Sequence, residues 1–384
     1  MKVREILKIL AISHACVTDV NQQLFVELAR IGDNQIELVA PSSWKSEYSS
    51  TPQNLKLLDS VNFPVHSFPV YFSGNLTLHF YKGALAKIFR KFDPDVIFID
   101  QEPWAFSTAQ WLSLAVRFKK PTVIYTKQNI YKNYPLPFRI LEKRCYSIAK
   151  SIMVINKETE DVLRKKGYTG PAPELAHGCD LSLFYPGDTA EMRKKLGLTG
   201  TVLGYMGRLV PDKGIDVMIR AAIKLRETNQ DISLLIVGSG EEDASLKELV
   251  ASSSLPLNVV FTGSVPHREA GDYMRCMDIF VLCSRTRSNW KEQFGRVIVE
   301  AMACGVPVVG SDSGHIPVLI EQTEGGLVFK EDNVEDLKDK IQQLINNPNT
   351  REQMALSGRK YVSEHFTHKA VAETLNSILF KAAG

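Results

Sequence analysis

TVLGYMGRLVPDKGIDVMIRAAIKLRE, residues 201–227, decides the fold of this chain. A short apolar run of strand length ends at a glycine-bounded turn, and a segment with the apolar period of a helix follows. The next apolar run, SLLIVG, again has the length of a buried strand. A strand, a helix and a second strand of these lengths predict a parallel sheet with helices on both faces.

The same alternation covers most of the chain. ILKILAIS, DVIFID and TVIYT alternate with helical segments in the first half, and NVVFTG, DIFVLCS and VPVVGSD do so in the second. We therefore predict an α/β protein with two doubly wound, Rossmann-like domains that face a cleft. The predicted domains are 1–185 and 186–365, divided where Pro186 and Gly187 break regular structure, and a helix in 366–384 is expected to return to the first domain.

Composition favours a globular protein in a reducing compartment. The 384 residues are 44% hydrophobic and 23% charged, which excludes disordered and fibrous classes. Lys8 interrupts the opening apolar segment, and no run reaches the ~18 residues of a membrane span, so neither a signal peptide nor a transmembrane helix is predicted. The six cysteines contain no CxxC pair and several lie in apolar strings, which predicts reduced thiols and a cytoplasmic location.

Charge is unevenly distributed along the chain. Residues 1–185 carry 23 Lys and Arg against 17 Asp and Glu, whereas residues 186–384 carry 23 against 26. The basic half is consistent with an anionic membrane surface or a phosphorylated substrate, and also with an ordinary solvated surface. Residues 76–92, LTLHFYKGALAKIFRKF, have the composition of a helix on an anionic membrane, although an amphipathic helix packed on the sheet is the preferred interpretation. Basic residues are not concentrated with aromatic ones in any nucleic-acid-binding module, so no nucleic-acid partner is predicted.

Two cations lie on the turn that follows the strand VLGY. Arg208 and Lys213 are five residues apart in the segment from Gly207 to Gly214. A guanidinium grips phosphate oxygens bidentately and an ammonium acts as a mobile point charge, so the pair suits a diphosphate without a metal ion. A surface turn with two solvated cations is the alternative.

Small residues end the next two strands. Gly238 and Ser239 begin the turn GSGE, and Gly263 begins GSVP, where backbone can approach a ligand closely. The third glycine and the acidic residue of a dinucleotide fingerprint are missing, so a nicotinamide or flavin dinucleotide is not predicted.

Two carboxylates flank a predicted helix N-terminus in EQFGRVIVEA, residues 292–301. Glu292 precedes the helix and Glu300 lies inside it, with the backbone N–H groups near Gly295, Arg296 and Val297 between them. Carboxylates accept hydrogen bonds from sugar and ribose hydroxyls, and a helix N-terminus favours a phosphate. A capping carboxylate followed by an ordinary helix glutamate is the alternative.

The combination of GRLVPDKG, GSGE, GSVP, EQFGRVIVEAMACGVPVVGSDSG and EGGLVF, in this order, resembles the second domain of the family 4 glycosyltransferases. These are retaining, metal-independent enzymes of the GT-B fold. The resemblance covers residues 186–365 and is looser before them, where it depends on strand order and on the segment HGCD, residues 177–180. It implies an acceptor-binding first domain, a second domain that binds a nucleotide-sugar donor, and no cofactor.

The resemblance also implies roles for single residues. Arg208 and Lys213 would hold the donor diphosphate, Glu300 the ribose and Glu292 the hydroxyls of the donor sugar. Backbone groups would complete the donor site; they are supplied by Gly207, Gly238, Ser239, Val265 beside the base, Phe294, Gly295 and Arg296. Front-face attack by the acceptor hydroxyl would displace the nucleotide diphosphate, with the two cations stabilising the developing charge.

The first domain departs from the family pattern. The glycine pair after the first strand is absent, and Lys127-Gln128-Asn129 stands where a histidine is expected after TVIYT. Candidate acceptor-side residues are therefore His14, Glu102, Gln128 and Asn129. In the second domain, His315 stands where a second glycine is usual, and we expect it to be structural.

The predicted function is transfer of a hexose from a nucleotide sugar to a glycan, lipid-linked or polysaccharide-precursor acceptor. UDP-glucose is the first choice of donor. We expect a cytoplasmic enzyme, and peripheral attachment to the inner face of a membrane is the alternative location. The alternatives are a sugar-nucleotide epimerase of the same architecture and a non-catalytic nucleotide-binding module.

Overall fold

The structure is a computed structural model that describes residues 6–45, 51–228 and 230–384. The first five residues of the opening segment lie outside this range. The chain divides into unit 1, Met1–Gly178 with His368–Gly384, and unit 2, Cys179–Thr367. The division falls a few residues before the predicted boundary at 185. It falls there because Cys179 bridges to Thr367 and its N–H donates to the Phe366 carbonyl at 2.7 Å, which ties the start of unit 2 to its end.

Strands occur throughout both units. Those of unit 1 are β1 (Lys8–Ser13), β2 (Gln35–Pro41), β3 (Ser43–Trp44), β4 (Gln53–Asn54), β5 (Val65–Phe68), β6 (Val70–Tyr71), β7 (Phe80–Tyr81), β8 (Val96–Asp100), β9 (Thr122–Thr126) and β10 (Ser151–Val154). Those of unit 2 are β11 (Thr201–Met206), β12 (Ile232–Val237), β13 (Asn258–Gly263), β14 (Ile279–Leu282), β15 (Val308–Ser311) and β16 (Gly326–Phe329).

Helices alternate with the strands in sequence. They are α1 (Gln23–Arg30), α2 (Ala86–Phe92), α3 (Phe106–Arg117), α4 (Leu136–Ile148), α5 (Lys157–Lys165), α6 (Ala190–Leu196), α7 (Ile215–Glu227), α8 (Asp243–Ala251), α9 (Ala270–Arg275), α10 (Arg296–Ala303), α11 (Ile316–Thr323), α12 (Val334–Asn346), α13 (Pro348–His365) and α14 (His368–Ala383). The charged region predicted to hold one or two helices, 333–361, contains α12 and most of α13.

The main sheet of unit 1 has six parallel strands in the order β10-β9-β8-β1-β2-β5. Two antiparallel pairs, β3–β4 and β6–β7, lie outside it. The strand order reverses between β1 and β8, where Ser13 lies opposite Asp100 at the carboxyl ends. Open parallel sheets bind ligands at such reversal points, so this edge is where a site is expected.

The C-terminal helix belongs to unit 1. α14 packs against α1, β8 and β9, and the side-chain amide of Asn34 donates to that of Asn376 at 2.8 Å. Asn34 also accepts from the Leu7 N–H and donates to the Leu28 carbonyl, so one buried amide joins the residue before β1 to α1 and α14. Burial of Val371, Leu375 and Leu379 on one helix face accounts for this packing.

The sheet of unit 2 also has six parallel strands, in the order β13-β12-β11-β14-β15-β16. The central strand β12 is buried at every residue because both faces of the sheet are covered there, whereas the edge strand β13 is half-buried along its length. The order reverses between β11 and β14, so the loops after these strands lie at the expected binding edge. Each unit is thus a doubly wound α/β domain, and the predicted fold class is confirmed.

Residues 76–92 form β7 and α2. Leu85, Ile88, Phe89 and Phe92 belong to the buried core of unit 1, where Phe89 stacks on Phe118 at 5.0 Å between ring centroids. The apolar side of this helix is therefore packed on the domain, as the preferred interpretation predicts, and is not available to a membrane. Its cations remain exposed.

Across the described ranges, no helix combines the length and the apolar character needed to cross a bilayer.

Candidate functional site

The turn after β11 is fixed by hydrogen bonds at both ends. The Gly207 N–H donates to the Val237 carbonyl at 2.9 Å, and the Tyr205 hydroxyl donates to the Arg208 carbonyl at 2.7 Å. Gly214 then begins α7 with a φ of 60°, which favours glycine. The backbone beneath Arg208 is thereby held at the carboxyl edge of the sheet.

Glycines bring three strand ends close together. A Cβ on Gly238 would overlap the carbonyl oxygen of Gly207, and the Gly238 N–H donates to the Gly263 carbonyl at 2.9 Å. The hydroxyls of Ser239 and Ser264 lie 2.6 Å apart in the two following turns. The predicted GSG and GSV turns are therefore adjacent, and the half-buried Val265 follows directly.

Lys213 and Glu292 meet although 79 positions separate them. The Lys213 Nζ lies 2.6 Å from Glu292 Oε2, and the two side chains are 15% and 13% exposed. The Ser284 hydroxyl donates to the same carboxylate oxygen at 3.0 Å, and the Trp290 ring lies 4.7 Å from Nζ. The structure thus brings together one predicted phosphate-binding cation and the carboxylate predicted to bind a sugar.

The loop after Glu292 turns into α10 at a glycine. Gly295 has φ of 80° and ψ of 49° and precedes the first residue of the helix, Arg296, which is exposed. Phe294 is buried and stacks on His315 at 6.0 Å between ring centroids. The backbone N–H of His315 also donates to the backbone carbonyl of Glu292 at 3.1 Å. The predicted helix N-terminus exists, and His315 supports the loop beneath it.

Glu300 is buried on α10, one turn after Arg296. Burial raises the pKa of the Glu300 carboxyl, and the positive charge of Arg296 opposes this only in part. Removing a carboxylate from water costs free energy unless a partner compensates. Ribose hydroxyls could supply such a partner.

Arg285 was not predicted as a site residue. Its guanidinium contacts Asp216 at 2.9 Å and Asp332 at 2.5 Å. The guanidinium also donates to the Pro211 carbonyl at 3.0 Å, and the backbone N–H of Arg285 donates to the Asp212 carbonyl at 2.8 Å. Arg285 therefore clamps the turn that carries Lys213. Its place just after the strand IFVLCS was the one available sequence signal, because its partners lie far away along the chain.

The carboxyl edge of the unit 1 sheet carries a partly buried ion pair. The Lys127 Nζ lies 2.7 Å from Asp100, and the Ser13 hydroxyl donates to the same carboxylate at 2.8 Å. Burial opposes ionisation of Asp100, but Lys127 outweighs it and the pKa of Asp100 lies below its usual value. Lys127 thus stands, already paired, where the family resemblance leads one to expect a histidine.

Glu102 is held by the same loop. It accepts hydrogen bonds from the Thr126 hydroxyl and from the Lys127 N–H, the latter at 2.9 Å. Burial raises the pKa of Glu102, and these bonds offset the effect only in part. Glu102 therefore orients the loop that follows β9.

Gln128 and Asn129 have partners within the protein. Gln128 donates to the Tyr134 hydroxyl at 2.9 Å and accepts from the Lys166 ammonium at 3.0 Å. Asn129 donates to Glu158 at 3.3 Å. Their predicted contact with an acceptor stays a prediction. His14 lies beside Trp44 and His79 at the end of β1.

Comparison with known proteins finds a family match within the second unit. Residues 188–361 match the family model described as glycosyl transferases group 1. A curated relative is the GDP-mannose-dependent monoacylated alpha-(1-6)-phosphatidylinositol monomannoside mannosyltransferase of Corynebacterium glutamicum. It is 33% identical to this chain over 243 residues, and the alignment covers 60% of this chain and 63% of the relative.

A second curated relative, the D-inositol 3-phosphate glycosyltransferase of Rhodococcus jostii, is 31% identical over 241 residues, or 59% of this chain and 52% of the relative. The chain thus spans between half and two thirds of the length of these glycosyltransferase relatives. The solved structure of HepE from Anabaena in complex with UDP has a TM-score of 0.75 at 18% identity and covers 98% of this chain and 100% of that one. This similarity shows the fold, and the predicted GT-B assignment is confirmed.

Proposed function

We propose that this chain is a glycosyltransferase that transfers a hexose from a nucleotide diphosphate sugar, with retention and without a metal ion, to a glycan or lipid-linked acceptor. The contact between Lys213 and Glu292, inside the family-matched segment and at the reversal point of a parallel sheet, carries the proposal. It joins a group for phosphate and a group for sugar hydroxyls in one small volume.

The donor diphosphate would be held by the cationic turn. Arg208 follows Gly207, the first residue after β11, and Lys213 ends the short turn before α7. Negative charge grows on the leaving diphosphate as the glycosidic bond breaks, so cations fixed at that position stabilise the transition state more than the bound donor. Arg285, which clamps the turn, keeps Lys213 in place as this charge develops.

The donor sugar and ribose would be oriented by carboxylates. Glu292 is aligned by the Ser284 hydroxyl and by Lys213 and would accept a hydrogen bond from a sugar hydroxyl. Glu300 lies deeper on α10 and would accept from the ribose. The N–H groups that begin α10 would face the phosphates.

The identity of the donor is a finer part of the proposal. UDP-glucose is the donor predicted from the sequence, whereas the name of the Corynebacterium glutamicum relative specifies GDP-mannose. That sequence similarity favours GDP-mannose, and we propose it as the first donor to test, followed by UDP-glucose.

A basic face of unit 1 supports peripheral attachment to an anionic membrane. Lys87 and Arg90 of α2 and Arg117 of α3 line an open groove of about 560 Å³ that contains no acidic lining residue. Tyr71 and Phe72 are exposed near β7, which packs against α3. Cations beside exposed aromatic side chains favour an anionic bilayer.

A thermal-shift panel tests the donor site first. GDP, GDP-mannose, UDP, UDP-glucose, ADP and NAD are compared in the presence of a chelator, because a ligand that binds the folded state raises its melting temperature. We expect one nucleotide and its sugar conjugate to act selectively, and Lys213→Met to lose the shift while the surface variant Lys247→Met retains it. No shift with any nucleotide would contradict the proposal.

Transfer itself needs a product assay. The preferred donor is incubated with lipid-linked and glycan acceptors, and NMR of the product gives its anomeric configuration. Release of an isomerised sugar without an acceptor would instead favour an epimerase. Sedimentation with vesicles containing anionic lipid at low salt tests the membrane surface, and Arg90→Glu with Arg117→Glu should abolish binding there.

A further inference from the structure

Three rings from separate segments meet beside the carboxyl edge of the unit 1 sheet. His14 follows β1, Trp44 ends β3 and His79 precedes β7. Ring centroids are 5.0 Å apart for His14 and Trp44, 4.9 Å for Trp44 and His79, and 5.6 Å for the two histidines. We call His14, Trp44 and His79 the ring cluster. His14 and Trp44 are half-buried, so the cluster reaches solvent.

Two ring nitrogens of the cluster are poorly satisfied. Nδ1 of His14 and Nε2 of His79 are buried, and within the described part of the chain neither has a hydrogen bond of normal geometry, although the Gln101 side chain lies near His79 and raises its pKa slightly against the effect of burial. Nδ1 of His79 lies 3.0 Å from the Asn75 carbonyl, to which a neutral imidazole donates, so Nε2 is left as an acceptor. Buried polar atoms are seldom left unsatisfied, and a ligand hydroxyl would satisfy these.

The site has little net charge. Burial lowers the pKa of His14 to about 3 and that of His79 to about 4, so both rings are neutral at neutral pH. The neighbouring charges of Asp100 and Lys127 are paired at 2.7 Å and largely cancel. An anion would therefore gain little attraction here. A hydroxyl both donates and accepts, which matches a neutral imidazole.

We propose that the ring cluster binds the ring of a neutral polyol, a sugar or a cyclitol, with Trp44 against its C–H face and the two histidines on its hydroxyls. Phosphate groups of the same molecule would lie outside this contact. The inference rests on the proposed function only in naming this polyol as the acceptor of transfer.

Ligand-observed NMR on the full chain tests the inference. Methyl α-D-mannopyranoside, myo-inositol and inorganic phosphate are titrated with and without GDP, into the wild-type protein and into Trp44→Leu, His14→Leu and the control His365→Leu. His365 is 55% exposed on α13. We expect saturable polyol binding, weakened about tenfold or more in both cluster variants through loss of ring contact, unchanged in the control, and not displaced by phosphate.

Circular dichroism and melting temperature establish that each variant is folded, and His14→Gln serves as the milder replacement if His14→Leu fails. Absence of polyol binding, equal binding by Trp44→Leu, or displacement by phosphate would overturn the inference. Nucleotide binding is measured on the same samples. Nucleotide binding without polyol binding refutes the ring cluster alone, whereas polyol binding without any nucleotide binding refutes the proposed transfer alone.

Discussion

Replacing Lys213 by methionine removes the cation that pairs with Glu292 and keeps the hydrogen bond from the Ser284 hydroxyl to that carboxylate. At the observed 2.6 Å, two unit charges attract by about 6 kcal/mol for an effective dielectric constant of 20. Desolvation of both groups offsets much of this attraction. The pair is less exposed than a surface ion pair and less enclosed than a core one, so we expect Lys213→Met to lower the free energy of unfolding of unit 2 by about 2 kcal/mol.

The assay follows unit 2 by itself. Trp290 is the sole tryptophan in unit 2, the other three being Trp44, Trp104 and Trp111. Fluorotryptophan labelling gives Trp290 its own ¹⁹F resonance, which the variant Trp290→Phe assigns. Loss of the folded-state resonance with increasing urea reports the unfolding of unit 2. A domain-specific probe is needed because a protein of two units need not unfold in a single step.

A double-mutant cycle isolates the pair. Lys213→Met, Glu292→Gln and the double variant should give a coupling energy of about 2 kcal/mol, and a value below about 0.5 kcal/mol would refute the reasoning. Lys247→Met breaks an exposed pair with Asp243 on α8 and should cost no more than about 0.5 kcal/mol. In the transfer assay, Lys213→Met should lower kcat about 100-fold to 1000-fold through the loss of charge stabilisation.

Three further changes probe the same unit. Gly238→Ala puts a methyl group on the Gly207 carbonyl oxygen at a φ of 141°, and should cost about 2–4 kcal/mol of unfolding free energy in the ¹⁹F assay and abolish nucleotide binding. Glu300→Gln should raise the melting temperature at pH 7 yet weaken the nucleotide-induced shift. Because the folded pKa of Glu300 exceeds its unfolded value, this gain is largest at pH values above the raised pKa and shrinks as the pH falls through it. Arg285→Lys keeps the charge but loses the two-oxygen contact with Asp216, and should lower kcat/KM about tenfold in steady-state kinetics.

Matched variants control these predictions. Gly197→Ala changes a helix-end glycine with open space around it and should cost only about 1 kcal/mol. Arg220→Lys alters an exposed side chain 3.9 Å from Asp216 and should leave kcat/KM unchanged. Equal effects of Gly238→Ala and Gly197→Ala would contradict the close-approach argument. A melting-temperature gain for Glu300→Gln that grew with acidity would contradict the assignment of its pKa.

Local pattern was sufficient for much of the fold. The strand TVLGYM and the helix from Ile215 were legible because a strand buried on both faces is continuously apolar and an amphipathic helix repeats every three to four residues. The segment 76–92 was ambiguous for a physical reason, since an apolar helix face has the same composition whether a membrane or a core covers it. Only the packing of Phe89 and Phe92 decides between them.

Contacts between distant segments were beyond the sequence. Arg285 has partners 69 and 47 positions away, and His79 meets Trp44 across the insertion that contains β4 to β6. Neither hydrophobic periodicity nor a sequence motif predicts such contacts, because they arise from the topology of the sheet. Gln128 was proposed for an acceptor, but its side chain binds Tyr134 and Lys166.

The path of the chain through α14 has a consequence for synthesis. A ribosome makes all of unit 2 before the segment that covers α1 and supplies Asn376 to the amide of Asn34. The nascent first unit therefore waits with part of its apolar surface uncovered while the second unit folds, which reverses the usual order of completion for a two-domain chain. Chaperone dependence during translation should accordingly belong to the first unit, and joining 1–178 directly to 368–384 should relieve it.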